Sequence, residues 1–92
     1  MSNTALGCFL IVNELGLHAR AATKLVQLAS KFPCEVIIAR EDQSANAKSV
    51  MGVLLLCGAK GTSVEVRAVG ENAEACVTAI GELIASRFGE PC

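Results

Sequence analysis

The 92-residue chain has no Trp, no Tyr and only three Phe, so aromatic side chains make up 3% of it. Recognition that stacks single-stranded bases on ring platforms has no material to work with. A basic excess is missing too: eight Lys and Arg against nine Asp and Glu leave a net charge of -1. Neither nucleic acid nor insertion into a membrane is expected, because nothing draws the chain to phosphate backbones or anionic lipid. Cys8, Cys34, Cys57, Cys76 and Cys92 are an odd number without a C-x-x-C pair or a companion His cluster. No metal site and no disulfide framework is expected. They read instead as small core fillers in a reducing cytosol. The apolar runs are too short to span a bilayer, and Met1 to Thr4 carry no basic leader, so a cytoplasmic protein is expected.

What is present is a globular composition, 52% apolar and 18% charged. The length leaves room for one domain over residues 1–92 and no second core. Charge is uneven along it. Residues 1–60 hold six basic and four acidic side chains, while residues 61–92 hold two and five, which permits an acidic partner near the front.

Along the chain, the run from Cys8 to Val12 reads as a buried strand closed by Asn13-Glu14. After Gly16, Ala19 to Lys31 reads as a helix with Leu25, Leu28, Ala29 and Phe32 on its buried face, stopped by Pro33. Cys34 to Arg40 is a β-branched second strand, and Gln43 to Ala47 fits a short edge strand returning from the Glu41-Asp42 turn. Ser49 to Cys57 is apolar enough for either state. Ser49 as an N-cap and Gly58 as a stop favour a short helix. Thr62 to Val69 alternates, with Val64, Val66 and Ala68 on one side, so this strand has one wet face. Asn72 caps a last helix whose stripe is Cys76, Ile80, Leu83 and Ile84, ending at Gly89. The order βαββαβα with a half-polar strand predicts an α+β fold. It is an open-faced two-layer sandwich with a mainly antiparallel four-stranded sheet and three helices on one face.

His18 is the only histidine, and it stands where the first helix begins. Free backbone N–H groups and the helix dipole make that place receptive to an anion, and Arg20 adds a guanidinium two residues on. A neutral imidazole is a nucleophile at physiological pH, and the positive end of the helix favours that form. A lone histidine beside a helix start is more often a plain cap. No second His or clustered carboxylates accompany it to build a hydrolytic triad, whereas a transient covalent carrier needs less machinery.

Gly16-Leu17-His18-Ala19-Arg20-Ala21-Ala22 resembles the active-site motif of the HPr family, the histidine-containing phosphocarriers of the bacterial phosphotransferase system. Asn46-Ala47-Lys48-Ser49-Val50-Met51-Gly52-Val53 resembles the family's second signature, and the Lys60-Gly61-Thr62 turn and the closing helix fit as well. The resemblance covers nearly the whole chain. It implies a relay without cofactors, in which enzyme I charged by phosphoenolpyruvate phosphorylates His18 at Nδ1 and enzyme IIA domains remove the group. Arg20 would pair with the phosphoryl oxygens. The chain would be a substrate of phosphotransferases rather than an enzyme with its own turnover. Ser49 matches the serine modified by an HPr Ser kinase/phosphorylase, although a serine N-cap needs no regulatory explanation. A phosphate there would add charge of about -1.5 to -2 beside a docking surface and weaken binding to an acidic partner. That surface, by resemblance, comprises Ala19, Thr23, Lys24, Gln27, Lys48, Val50 and Met51. Lys24 and Lys48 are expected to add positive charge near His18 and speed encounter.

One position departs from the pattern: Ala21 stands where the family usually has Pro. Proline would preset φ in the first turn, so Ala21 makes the helix entry less rigid. Two other readings stay open. One is a regulatory paralogue, nitrogen-related or catabolite-controlling, with the same His18 chemistry; the other is a phosphate-independent interaction module.

Overall fold

The computed structural model describes residues 3–92; Met1 and Ser2 lie outside the described residues. Four strands form one sheet: β1 (Thr4–Leu10), β2 (Glu35–Arg40), β3 (Gln43–Asn46) and β4 (Ser63–Val69). Helix α1 (Ala19–Ala29) links β1 to β2, α2 (Val50–Leu55) links β3 to β4, and α3 (Ala73–Ala85) follows β4. A short 3-10 turn, Arg87–Gly89, comes last. The strand order is β1-β4-β2-β3, and every pairing is antiparallel. The last strand in sequence is thus inserted between the first two.

Alternation decides which face the helices cover. Val64, Val66 and Ala68 on β4 and Val36 and Ile38 on β2 are buried, while Ser63, Glu65, Arg67 and Glu35 face solvent. Ala21, Ala22, Leu25 and Ala29 of α1 and Cys76, Val77, Ile80 and Ile84 of α3 complete one core with them. This is the two-layer, open-faced α+β arrangement predicted from the sequence, with a wholly antiparallel sheet.

The first strand differs from its expected place. It runs from Thr4 to Leu10, four residues earlier than the apolar run, and ends before Ile11. Leu6, Cys8 and Leu10 lie exposed on the open face, so apolar residues on both sides of the strand hide its alternation. Opposite them, Phe9 packs over two bare backbones: a Cβ at Gly7 or Gly81 would lie 2.6 or 2.4 Å from its ring. Helix α1 ends at Ala29, short of Lys31, and its buried face is Ala21, Ala22, Leu25 and Ala29, with Leu28 and Phe32 only half-buried. The left-handed residue after α2 is Cys57 (φ 53°), not Gly58. Gly58 is needed for closeness, since a Cβ there would meet Leu17 at 2.7 Å. Asn72 precedes α3 with φ 63° and makes no side-chain cap. The final helix stops at Ala85, before Gly89.

The cysteines divide. Cys34 and Cys76 are buried, whereas Cys8, Cys57 and Cys92 are exposed, which corrects the reading of all five as core fillers. Burial, reinforced by the neighbouring Cys34, pushes the Cys76 thiol up to about 12.

Candidate functional site

The chain between β1 and α1 is pinned before it reaches the helix. Gly16 takes φ 64°, and a Cβ on it would lie 2.4 Å from the carbonyl oxygen of Gly58. The next residue, Leu17, is buried and donates its N–H to that same oxygen at 2.8 Å. With Leu17 anchored, His18 falls on the N-cap of α1 in extended backbone (φ -76°, ψ 178°). Its carbonyl accepts the first intrahelical bond, from Ala22 N–H at 2.8 Å. Nδ1 of the ring turns inward over the helix start and accepts from Arg20 N–H at 3.4 Å, a long and weak contact that leaves the lone pair lightly held.

The other ring nitrogen is engaged by a residue that the sequence reading missed. Nε2 of His18 is hydrogen-bonded to Oε2 of Glu90, 72 positions away in the chain. The second carboxylate oxygen, Oε1, accepts from Nδ2 of Asn13 at 3.0 Å, and the same Nδ2 donates to Gly16 O at 2.9 Å. Asn13 is fully buried. The His18 side chain is 24% exposed and that of Glu90 7%. The hydrogen bond from His18, followed by that from Asn13, holds the Glu90 carboxyl below its ordinary range against the opposing effect of burial; the Arg20 charge acts in the same direction.

Glu90 reaches His18 through a sharp reversal after α3. Arg87, Phe88 and Gly89 are all left-handed, with φ of 59°, 55° and 77°, and Glu90 returns to extended backbone. Left-handed non-Gly residues cost on the order of 1 kcal/mol or more each, so something must hold the reversal. Phe88 does so by being fully buried, and its carbonyl accepts from Lys24 Nζ at 2.6 Å. Farther on, Cys92 O accepts from Glu14 N–H at 2.9 Å. Gly89 and Pro91 mark the segment locally, the proline favouring the extended backbone of Glu90, but nothing local marks left-handed Arg87 and Phe88. The acidic last third of the chain thereby supplies a carboxylate to the basic front.

The other expected site residues are placed as follows. Arg20 is exposed in the first turn of α1, and among the described residues its guanidinium makes no hydrogen bond or ion pair, so it is available to an incoming anion. Ala19, Thr23 and Gln27 form an exposed stripe at i, i+4 and i+8 on α1. Ser49 caps α2, its Oγ accepting from Gly52 N–H at 3.1 Å. Met51 is 67% exposed and Val50 half-buried. The two lysines are placed differently. Lys24 Nζ is committed to Phe88 O, and Lys48 Nζ donates to Phe32 O at 2.8 Å, beyond the far end of α1 from His18. Each ammonium donates to a main-chain carbonyl, Lys24 on the side of the fold that carries Glu90 and Lys48 at the other end of α1. Leu15 and Leu55, also exposed and apolar, are further surface candidates that the sequence reading passed over. Among the described residues no group of three or more His, Cys, Asp or Glu is placed to hold a metal ion.

A ring nitrogen with a lightly held lone pair over a helix start, two residues before an exposed arginine, is the geometry expected of a phosphoryl acceptor. The family model for the PTS HPr component phosphorylation site matches residues 7–86. The chain belongs to the HPr family. The phosphocarrier protein HPr of Xylella fastidiosa (strain 9a5c) is 44% identical over 81 residues, covering 88% of this chain and 91% of that protein. The phosphocarrier protein NPr of Shewanella violacea is 44% identical over 80 residues, covering 87% and 88%. Among solved structures, HPr-C-His from Thermoanaerobacter tengcongensis superposes with a TM-score of 0.92 at 38% identity, covering 96% of this chain and 99% of that one. HPr family membership makes this chain a phosphocarrier and gives the fold a direct counterpart.

Proposed function

We propose that the chain, acting over residues 1–92 as one HPr-like unit, carries its phosphoryl group on Nδ1 of His18. The observation that supports this most is the position of Nδ1 on the N-cap of α1. There the lone pair is held only by a 3.4 Å contact, and the free N–H groups of the first turn lie beneath it. In the transfer, the lone pair of Nδ1 attacks phosphorus. The N–P bond forms, the donor's bond to phosphorus breaks, and its electron pair leaves with the donor atom. The ring gains charge while Nε2 keeps its proton. Arg20 and the helix N–H groups stabilise the phosphoryl oxygens during the exchange. The donor is phosphorylated enzyme I, the acceptors are enzyme IIA domains, and the chain is their substrate rather than an enzyme. Its place is the cytoplasm; among the described residues no helix is long and apolar enough to cross a membrane.

Docking uses Ala19, Thr23, Lys24, Gln27, Lys48, Val50 and Met51, the two ammonium groups keeping their charge while each donates to a carbonyl. Ser49 is a site for regulatory phosphorylation by a Ser kinase/phosphorylase, which would place negative charge on this surface. A second reading keeps the His18 chemistry and gives it a regulatory output. The NPr-named relative, as similar as those named HPr, favours keeping it.

The test incubates the protein with enzyme I and labelled phosphoenolpyruvate. An acid-labile, base-stable label is expected in wild type and not in a folded His18→Gln variant. A wild-type chain that stays unlabelled with a competent donor overturns the reading. ATP and the serine kinase should give an acid-stable label that Ser49→Ala loses; its persistence in that variant removes Ser49.

A further inference from the structure

The carboxylate on Nε2 carries more than a static contact. We propose that Glu90, braced by Asn13, is a positioning residue for phosphoryl transfer. It fixes His18 as the Nε2–H tautomer, so that Nδ1 is the nitrogen with a lone pair, and balances the positive charge that the ring acquires when the N–P bond forms. This deepens the proposed function and rests on His18 being the acceptor.

Three observations carry it independently. First, the two ring nitrogens face opposite kinds of partner. Glu90 offers only an acceptor to Nε2, and the first turn of α1 offers only a donor to Nδ1. A neutral imidazole has one N–H, and this pairing satisfies both contacts only when the proton is on Nε2. Second, Asn13 is oriented at a cost. Its Nδ2 serves two acceptors, Gly16 O and Glu90 Oε1, while its fully buried Oδ1 has no partner among the described residues. Turning the amide over would place Oδ1 against a carbonyl and a carboxylate, so its orientation is fixed by the groups it must hold. Third, three successive left-handed residues are kept in place by buried Phe88 and by the Lys24 bond to its carbonyl. A strained segment that persists because its surroundings over-determine it is a pointer to function, and this one delivers a single side chain to the ring.

The arrangement parallels, in physical logic, any imidazole whose outer nitrogen is hydrogen-bonded to a carboxylate. The carboxylate selects the tautomer, stops the ring rotating and lowers the energy of the charged state. During transfer the Nε2 proton stays in the bond to Oε2; the carboxylate removes no proton and touches no phosphorus.

The experiment compares wild type with Glu90→Ala and Glu90→Gln. Each is checked for folding by thermal melting, then followed in phosphoryl transfer from enzyme I and in long-range proton–nitrogen spectra of the His18 ring at about pH 8.5. In wild type the two ring nitrogens should be well separated, with the proton on Nε2. In Glu90→Ala their shifts should converge, and kcat for transfer should fall about tenfold or more with KM little changed, as for loss of one hydrogen bond to a charged group. Glu90→Gln keeps an acceptor of the same shape, so it should restore much of the shift separation without restoring the rate. A folded Glu90→Ala chain with wild-type transfer overturns the proposal. So do variants whose rates fall only in step with melting temperature while the ring nitrogens do not move. If wild type takes no label, the acceptor reading fails, while the nitrogen spectra still decide whether Glu90 sets the tautomer.

Discussion

Helices α1 and α2 begin in similar ways and differ in what stands behind the cap. His18 and Ser49 both occupy extended backbone at an N-cap, and each side chain accepts a backbone N–H from the first turn, at 3.4 and 3.1 Å. Serine completes its task with that one bond. Histidine has a second polar atom, and the chain supplies it with Glu90, Asn13 and a reversal after α3. On the proposed role of Glu90, a cap becomes a reactive group through what anchors its far side, and the cap geometry alone does not distinguish the two.

If that difference is physical, removing the anchor should harm one cap and spare the other. Phe88→Ala should cost about 3–5 kcal/mol in denaturant unfolding, the range for emptying a fully buried aromatic site. Its folded fraction should phosphorylate slowly at His18, because Glu90 is no longer delivered, while kinase labelling at Ser49 continues. Equal loss at both positions would make the contrast a matter of global stability. A smaller effect is expected at Arg20, which is exposed and adds nothing to the core. Arg20→Ala should leave the melting temperature unchanged and slow labelling of His18 about tenfold, the loss of one charge-assisted contact. Wild-type labelling by the alanine variant would remove the guanidinium from the site.

The two caps also differ in how far they could be read from the sequence. Ser49 was legible because a serine ahead of an apolar run and a glycine behind it are local signals, and the cap bond is made within three residues. Half of the His18 site was legible for the same reason: Gly16, the cap position and Arg20 are neighbours in the chain. Glu90 was not, since its contact spans 72 residues and depends on left-handed Arg87 and Phe88, residue types that do not announce a turn. The sheet shows the same division. Strand β4 alternates visibly because its outer face is polar, whereas Leu6 and Leu10 put apolar side chains on the outer face of β1 and erase the period. Sequence pattern reports burial well where the two faces differ in chemistry and poorly where they do not.

Ser49→Ala provides the reciprocal test of the caps. It should cost about 1 kcal/mol in unfolding free energy, the usual worth of a serine N-cap, and leave His18 labelling by enzyme I at the wild-type rate. Ser49→Asp keeps a capping oxygen and adds charge to the surface, so it should regain the stability and slow the labelling. If both variants label alike, negative charge at α2 does not reach the docking step.

Acid separates the caps most gently. The hydrogen bonds from His18 and Asn13 lower the Glu90 carboxyl, with the Arg20 charge acting in the same sense, whereas the cap at Ser49 contains no titrating group. A carboxyl whose folded pKa lies under its unfolded value, about 4.3 for glutamate, contributes stability above that value and loses it as pH falls through the folded one. The stability of wild type should therefore decline more steeply on acidification below about pH 4.3 than that of Glu90→Gln, which has no carboxyl to protonate. Ser49→Ala should instead run parallel to wild type at a constant offset. Melting curves of wild type and Glu90→Gln that keep the same spacing down to about pH 3 would mean that the carboxylate contributes nothing through its charge, leaving the His18 anchor a matter of shape.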